Sequence, residues 1–148
     1  MRGVSAERLL GLPVRVRGIE LGRPVDLVLD REHTRVLGFE VLCGDDERRF
    51  LPLAVASVRE SELEIRSSLG VLDEAELAFY TKRGSTFAAL RGCGVVRART
   101  LLGELVDLTL APDGTIGSVV VATPDGSEEV DYVDVALVAA GTNVRAAS

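Results

Sequence analysis

Apolar and polar residues alternate along this chain in a series of short stretches, and one of those stretches occurs twice. Leu21-Gly22-Arg23-Pro24-Val25-Asp26-Leu27-Val28-Leu29 is answered 81 residues later by Leu102-Gly103-Glu104-Leu105-Val106-Asp107-Leu108-Thr109-Leu110. Both read L-G-x-x-V-D-L-x-L. A glycine followed by alternating apolar positions marks a turn feeding a strand with one buried face, so the repeat predicts a fold built twice. The alternation places Val25, Leu27 and Leu29 on one face and turns Asp26 to the other.

The same reading gives five short strands in the first copy: Pro13–Arg17, Val25–Asp30, Val36–Cys43, Arg48–Leu53 and Glu62–Arg66. A helical turn at Ser5–Leu10 precedes them, and Ala54–Val58 forms a turn or bend. Pro52 cannot donate to a ladder and belongs on an edge or at a strand end. The second copy repeats the plan with Val95–Arg99, Glu104–Leu110, Thr115–Ala122 and Glu128–Val133, then Val135–Val138 and a weak echo of the fifth strand at Asn143-Val144-Arg145. Pro112-Asp113-Gly114 and Pro124-Asp125-Gly126 are turn tripeptides, in which proline sets φ and glycine supplies a left-handed position.

The segment between the copies is too long to lack structure in a compact protein. Asp73 stands where an N-cap belongs, Glu76 completes a capping box, and Leu72 with Leu77 forms the staple around it. Lys82 and Arg83 fall in the last turn and Gly84 takes the C′ position. The prediction is a helix over Glu74–Arg83, with Leu77, Phe79 and Tyr80 as its apolar surface. The chain therefore divides into a first unit at residues 9–66, a helical connector at 67–90 and a second unit at 91–145. Each unit is about 55 residues, a size at which only about 60% of the unfolded surface is buried, so the copies are expected to lean on each other or on another subunit.

Composition narrows the function. The net charge is −6 and the second copy is the more acidic, which argues against binding nucleic acid through phosphate neutralisation. Sixteen of the 17 basic residues are arginine, Lys82 being the exception. No apolar run is long enough to span a membrane and the N-terminus lacks the apolar core of a signal peptide, so the expected location is the cytoplasm. Cys43 and Cys93 are too few for a disulfide framework and are expected to be reduced, small apolar residues.

Five short strands per unit at roughly 8–12-residue spacing indicate a small barrel. Gly11-Leu12-Pro13-Val14, the L-G-x-x-V-D-L-x-L-D run at 21–30, Val36-Leu37-Gly38-Phe39-Glu40-Val41 and Phe50-Leu51-Pro52-Leu53 with Val58 together resemble the PRC-barrel family. The second copy is similar, with Gly103, Val106-Asp107-Leu108 and Ile116-Gly117 in place, but has Asp131-Tyr132-Val133 where the family pattern has Leu-Pro-Leu. The resemblance implies a mostly β fold: two small PRC-type, SH3-like β-barrels in tandem, joined by a segment containing one short helix. PRC barrels occur in the photosynthetic reaction-centre H subunit, in a ribosome maturation factor that contacts a small-subunit ribosomal protein, and as stand-alone proteins. The H subunit has a membrane-spanning helix and the ribosome factor a different N-terminal barrel, so the resemblance favours the stand-alone class, whose theme is binding other proteins.

Candidate chemistry is sparse. His33 is the only histidine, the cysteines form no C-x-x-C pair, and Ser67, Ser68 and Ser85 lack the context of an activated nucleophile, so no catalytic residue, cofactor or metal is expected. Gly92-Cys93-Gly94 is not a phosphate loop, because it lacks the third glycine and precedes a strand. Asp45-Asp46-Glu47 reads as a solvated hairpin tip. Asp26 and Asp107, present in both copies, read as outward acids that satisfy a turn or blunt a sheet edge. The favoured expectation is a non-enzymatic protein-interaction or adaptor module, with a protein partner or a homodimer engaged at exposed strand edges or the inter-barrel groove, and with Phe79 and Tyr80 as possible interaction residues. The alternative is an RNA- or ribosome-associated accessory factor using Arg15, Arg17, Arg48 and Arg49 as a local basic face.

Overall fold

The computed structural model describes residues 3–139 and the backbone of Arg145–Ala146. The protein is mostly β, with two curled sheets. In chain order, β1 (Val4–Ser5) leads into α1 (Ala6–Leu10), followed by β2 (Val14–Val16), β3 (Ile19–Leu29), β4 (Val36–Cys43) and β5 (Arg48–Pro52). A 3₁₀ turn at Leu53–Val55 precedes β6 (Ala56–Val58) and β7 (Leu63–Ile65). Next come a 3₁₀ turn at Ser68–Gly70, α2 (Glu74–Arg83), β8 (Ser85–Thr86) and α3 (Phe87–Leu90). The chain then forms β9 (Gly94–Arg97), β10 (Thr100–Leu110), β11 (Ile116–Thr123), β12 (Gly126–Asp131), β13 (Val135–Val138) and β14 (Arg145–Ala146). The first sheet runs β5-β4-β3-β2-β7-β6 and the second β12-β11-β10-β9-β13.

The repeat is visible in the pairing. Asp26 faces Glu40 across β3–β4 as Asp107 faces Val120 across β10–β11, and Leu29 faces Val36 as Leu110 faces Ile116. The loops after β3 and β10 then pair with each other through an Arg35–Thr115 bridge. Its hydrogen bonds are reciprocal: Val36 N–H donates to Gly114 O at 2.8 Å and Ile116 N–H donates to Thr34 O at 3.0 Å. An approximate two-fold axis passes through this bridge. Gly114 takes its turn at φ 91°, and a Cβ there would stand 2.4 Å from Val36 O, so the close approach requires glycine.

The two units exchange their leading elements about that axis. β8, which precedes the second unit, adds to β3 of the first, with Leu29 opposite Ser85. β1, which precedes the first unit, adds to β10 of the second, with Leu110 opposite Val4. The repeated aspartates hold the exchange together. Asp26 Oδ1 accepts from Ala88 N in the first turn of α3 (2.9 Å) and from Leu27 N (2.8 Å). Asp107 Oδ1 accepts from Glu7 N in the first turn of α1 (3.1 Å) and from Leu108 N (2.8 Å). These carboxylates thus do not point to solvent as the alternation suggested. Asp107 is only 7% exposed, and both aspartates satisfy helix amides that would otherwise lack partners.

One continuous core fills both units, joining Leu27, Phe39, Val41 and Leu51 to Val95, Leu108, Val119 and Val121, with Leu9 and Phe87 from the exchanged helices. The units therefore do lean on each other, as their small size requires. A second, smaller cluster of Val28, Phe50 and Leu77 lies on the outer face of the first sheet, beneath α2.

Several expectations are corrected locally. Val25 does not share the face of Leu27 and Leu29; the register shifts between Pro24 and Asp26, and this bulge turns Val25 out to 39% exposure. The connecting segment holds α3 and β8 as well as α2. α2 spans Glu74–Arg83 as its caps indicated, with Asp73 accepting from Glu76 N at 3.1 Å. Gly84 has φ −114°, not a left-handed value; a Cβ there would meet Leu29 O at 2.0 Å, so the glycine serves close packing of the backbone. Residues 54–58 are the end of a 3₁₀ turn and strand β6. Of the echo at Asn143-Val144-Arg145, the first two residues lie outside those described, and Arg145 belongs to β14, which runs parallel to β10.

Candidate functional site

The four arginines of the basic-face expectation are spread over β2, the turn after it and β5, strands separated in the sheet by β3 and β4. Arg15 pairs with Glu62 at 3.6 Å. Arg17 sits in the β2–β3 turn at φ 51°, outside the alternation that placed it beside Arg15. Arg48 pairs with Glu40 across the β4–β5 ladder. Arg49 grips Asp45 with two hydrogen bonds, 2.9 and 2.7 Å, and that guanidinium holds the Asp45 carboxyl down at about 2.

Other chemistry-bearing groups have structural partners. His33 adopts φ 59° in the β3–β4 loop, and its Nε2 lies 3.0 Å from Ser85 Oγ. Its backbone carbonyl accepts from the Tyr132 hydroxyl at 2.7 Å, a bond between the units. Burial raises the pKa of Tyr132, as do the nearby charges of Asp30 and Cys93. Cys43 and Cys93 are both buried and unpaired, and burial pushes the Cys93 thiol up. Among the described residues, no three His, Cys, Asp or Glu side chains converge as a metal site would require, and no helix is long and apolar enough to cross a membrane.

Phe79 and Tyr80 behave differently from each other. Tyr80 turns inward and stacks on Phe50 with ring centroids 4.5 Å apart. Phe79 is 46% exposed, meets Tyr80 edge-on at 5.2 Å and carries the Arg83 guanidinium 4.4 Å above its ring. Both face an open groove of about 680 Å³ whose walls include Leu37, Arg31, Lys82 and Arg83. None of those three cations forms an ion pair among the described residues. Asp30, the one acid in the wall, is occupied by Thr34 N, Thr34 Oγ1 and Arg35 N. On a chain of net charge −6, this is a local cationic surface with an aromatic floor.

The groove was only partly legible in the sequence. The apolar face of α2 points to Phe79 and Tyr80, while Lys82 and Arg83 look in the sequence like charges suited to a helix end. Arg31 and Leu37 come from the β3–β4 region, about fifty residues from Arg83 along the chain, and no local pattern links them to α2. A second cavity, about 260 Å³, lies at the seam between units beside Leu9, Leu53, Val58, Leu110 and Pro112, and its walls are mostly apolar. Comparison with protein-family models and with curated proteins finds no match for this chain.

Proposed function

We propose that the chain is a non-enzymatic protein-interaction module of the PRC-barrel class, acting through the groove beside α2. The observation that carries the reading is the half-exposed Phe79 ring among Arg31, Lys82 and Arg83, cations that have no carboxylate partner among the described residues. Aromatic residues and arginine are the side chains that most often dominate protein interfaces, and an unpaired cationic rim selects an acidic partner. Asp26 and Asp107, the acids that stand out in the sequence, serve helix amides, which fits a structural role for that pair. The ribosome-associated alternative has less support, because Arg15, Arg48 and Arg49 are each committed to a carboxylate.

The test is gentle cross-linking of the tagged chain in its source cell, capture, and identification of what accompanies it, alongside a Phe79→Ser, Arg31→Ser variant. A defined protein retained by the unaltered chain and lost from the variant supports the module. A strictly monomeric chain that captures nothing overturns it. Ribosomal protein or RNA lost instead on changing Arg15, Arg17, Arg48 and Arg49 to serine moves the reading to the alternative.

A further inference from the structure

We propose that the occupant of this groove is the acidic edge formed by β12 and its flanking turns, residues 125–134, of a second copy of the same chain. The inference rests on the protein-interaction reading and supplies its partner. Among the described residues β12 ends its sheet and pairs on one side only, with β11. Its residues from Gly126 to Glu129 are exposed. Asp125, Glu128, Glu129, Asp131 and Asp134 place five carboxylates between residues 124 and 139, a stretch with no basic residue. Val133, 64% exposed, lies between the last two of them. An exposed apolar residue flanked by acids complements an exposed aromatic ring flanked by cations.

Internal symmetry says what kind of surface covers such an edge. β5 of the first unit is the counterpart of β12: Phe39 faces Leu51 as Val119 faces Val130. β5 does not stand bare. Phe50 exchanges two backbone hydrogen bonds with Leu72, of 2.9 and 2.7 Å, and its ring lies under Tyr80 of α2. β12 has no such helix over it among the described residues. Within one chain the two surfaces adjoin where Tyr132 donates to His33 O, but none of the ion pairs among the described residues joins the groove's cations to the edge's carboxylates. A second copy brings them together, and if each copy's groove takes the other's edge the contact is made twice and the assembly closes as a dimer.

Charge reversal tests this on the full chain. Sedimentation at low salt is expected to give a dimer that dissociates as salt rises to about 0.5 M, where the screening length falls to a few ångströms. Reversing the groove (Lys82→Glu, Arg83→Glu) or the edge (Glu128→Lys, Asp131→Lys) weakens the dimer roughly tenfold or more. Combining both reversals in one chain restores it, which a merely misfolded variant does not do. A dimer indifferent to these changes overturns the proposal, and so does a chain that stays monomeric at every salt concentration. In the monomeric case, capture of a different protein that is lost with Phe79→Ser leaves the interaction module standing with another partner. Capture of nothing removes both.

Discussion

The two units share a strand plan and present opposite outer faces. In register, Val28, Leu37 and Phe50 of the first unit correspond to Thr109, Gly117 and Glu129 of the second. Beneath the Phe50 ring the chain has Gly38, where a Cβ would stand 2.8 Å from the ring. At the matching place it has Ser118, whose hydroxyl donates to Glu129 Oε2 at 2.6 Å. One face is apolar and needs a cover, so the connector forms α2 and lays Leu77 and Tyr80 on it. The other face satisfies its own polar groups and, among the described residues, carries no helix. A few substitutions on one face of a duplicated sheet thus decide whether a unit recruits a helix, and the outer side of that helix becomes the candidate interaction surface.

The contrast can be broken most forcefully at its centre. Phe50→Ala is expected to lower unfolding free energy by about 3–5 kcal/mol, because the ring is 2% exposed and its loss leaves a void beneath α2. Glu129→Ala, at the matching exposed position, removes the acceptor of the Ser118 hydroxyl and is expected to cost about 0.5–1.5 kcal/mol. Denaturant titration of both variants measures the difference, and equal losses would refute the asymmetry. The exchanged caps come next. Asp107→Ala leaves the Glu7 and Leu108 amides without their acceptor and is expected to cost about 1–3 kcal/mol, with Asp26→Ala costing less because its site is only half-buried.

Across the seam, Tyr132 stands where the first unit has Leu53. Tyr132→Phe removes the hydroxyl that donates to His33 O and is expected to cost about 1 kcal/mol at neutral pH. The folded protein favours neutral Tyr132, so this contribution is present below the ordinary phenol value of 10.0 and is lost as pH rises through the raised one. Alkaline denaturation of the unaltered chain is therefore expected to show a loss that the phenylalanine variant lacks. The smallest effect belongs to the first unit's β4–β5 hairpin. Asp45, held at about 2 against an ordinary 3.8, contributes stability above the ordinary value, and that contribution is lost as pH falls through about 2. A carboxyl NMR titration is expected to give that midpoint and to move upward in Arg49→Ser.

Signals confined to neighbouring residues were legible in the sequence. β4 occupies Val36–Cys43 and α2 occupies Glu74–Arg83 because alternation and capping are local instructions. The repeat also announced that Asp26 and Asp107 do the same thing, but not what they do, since the amides they serve lie 62 and 100 residues away. The bulge that exposes Val25 was hidden for a similar reason: it is set by pairing with β4, and nothing in the alternation itself marks it. In the sequence Phe79 and Tyr80 form one apolar face, yet only the stack on Phe50 decides that Tyr80 is used up and Phe79 is left open.

The exchange of β1–α1 and β8–α3 makes the two units one cooperative body, and native-state hydrogen exchange on Asp107→Ala tests that claim most directly. The unaltered chain should show a shared slowest-exchanging set drawn from β3, β4, β10 and β11, and the variant should lower protection in both sheets by the same free energy. Loss of protection confined to α1, β10 and β11, with β3 and β4 unchanged, would contradict it.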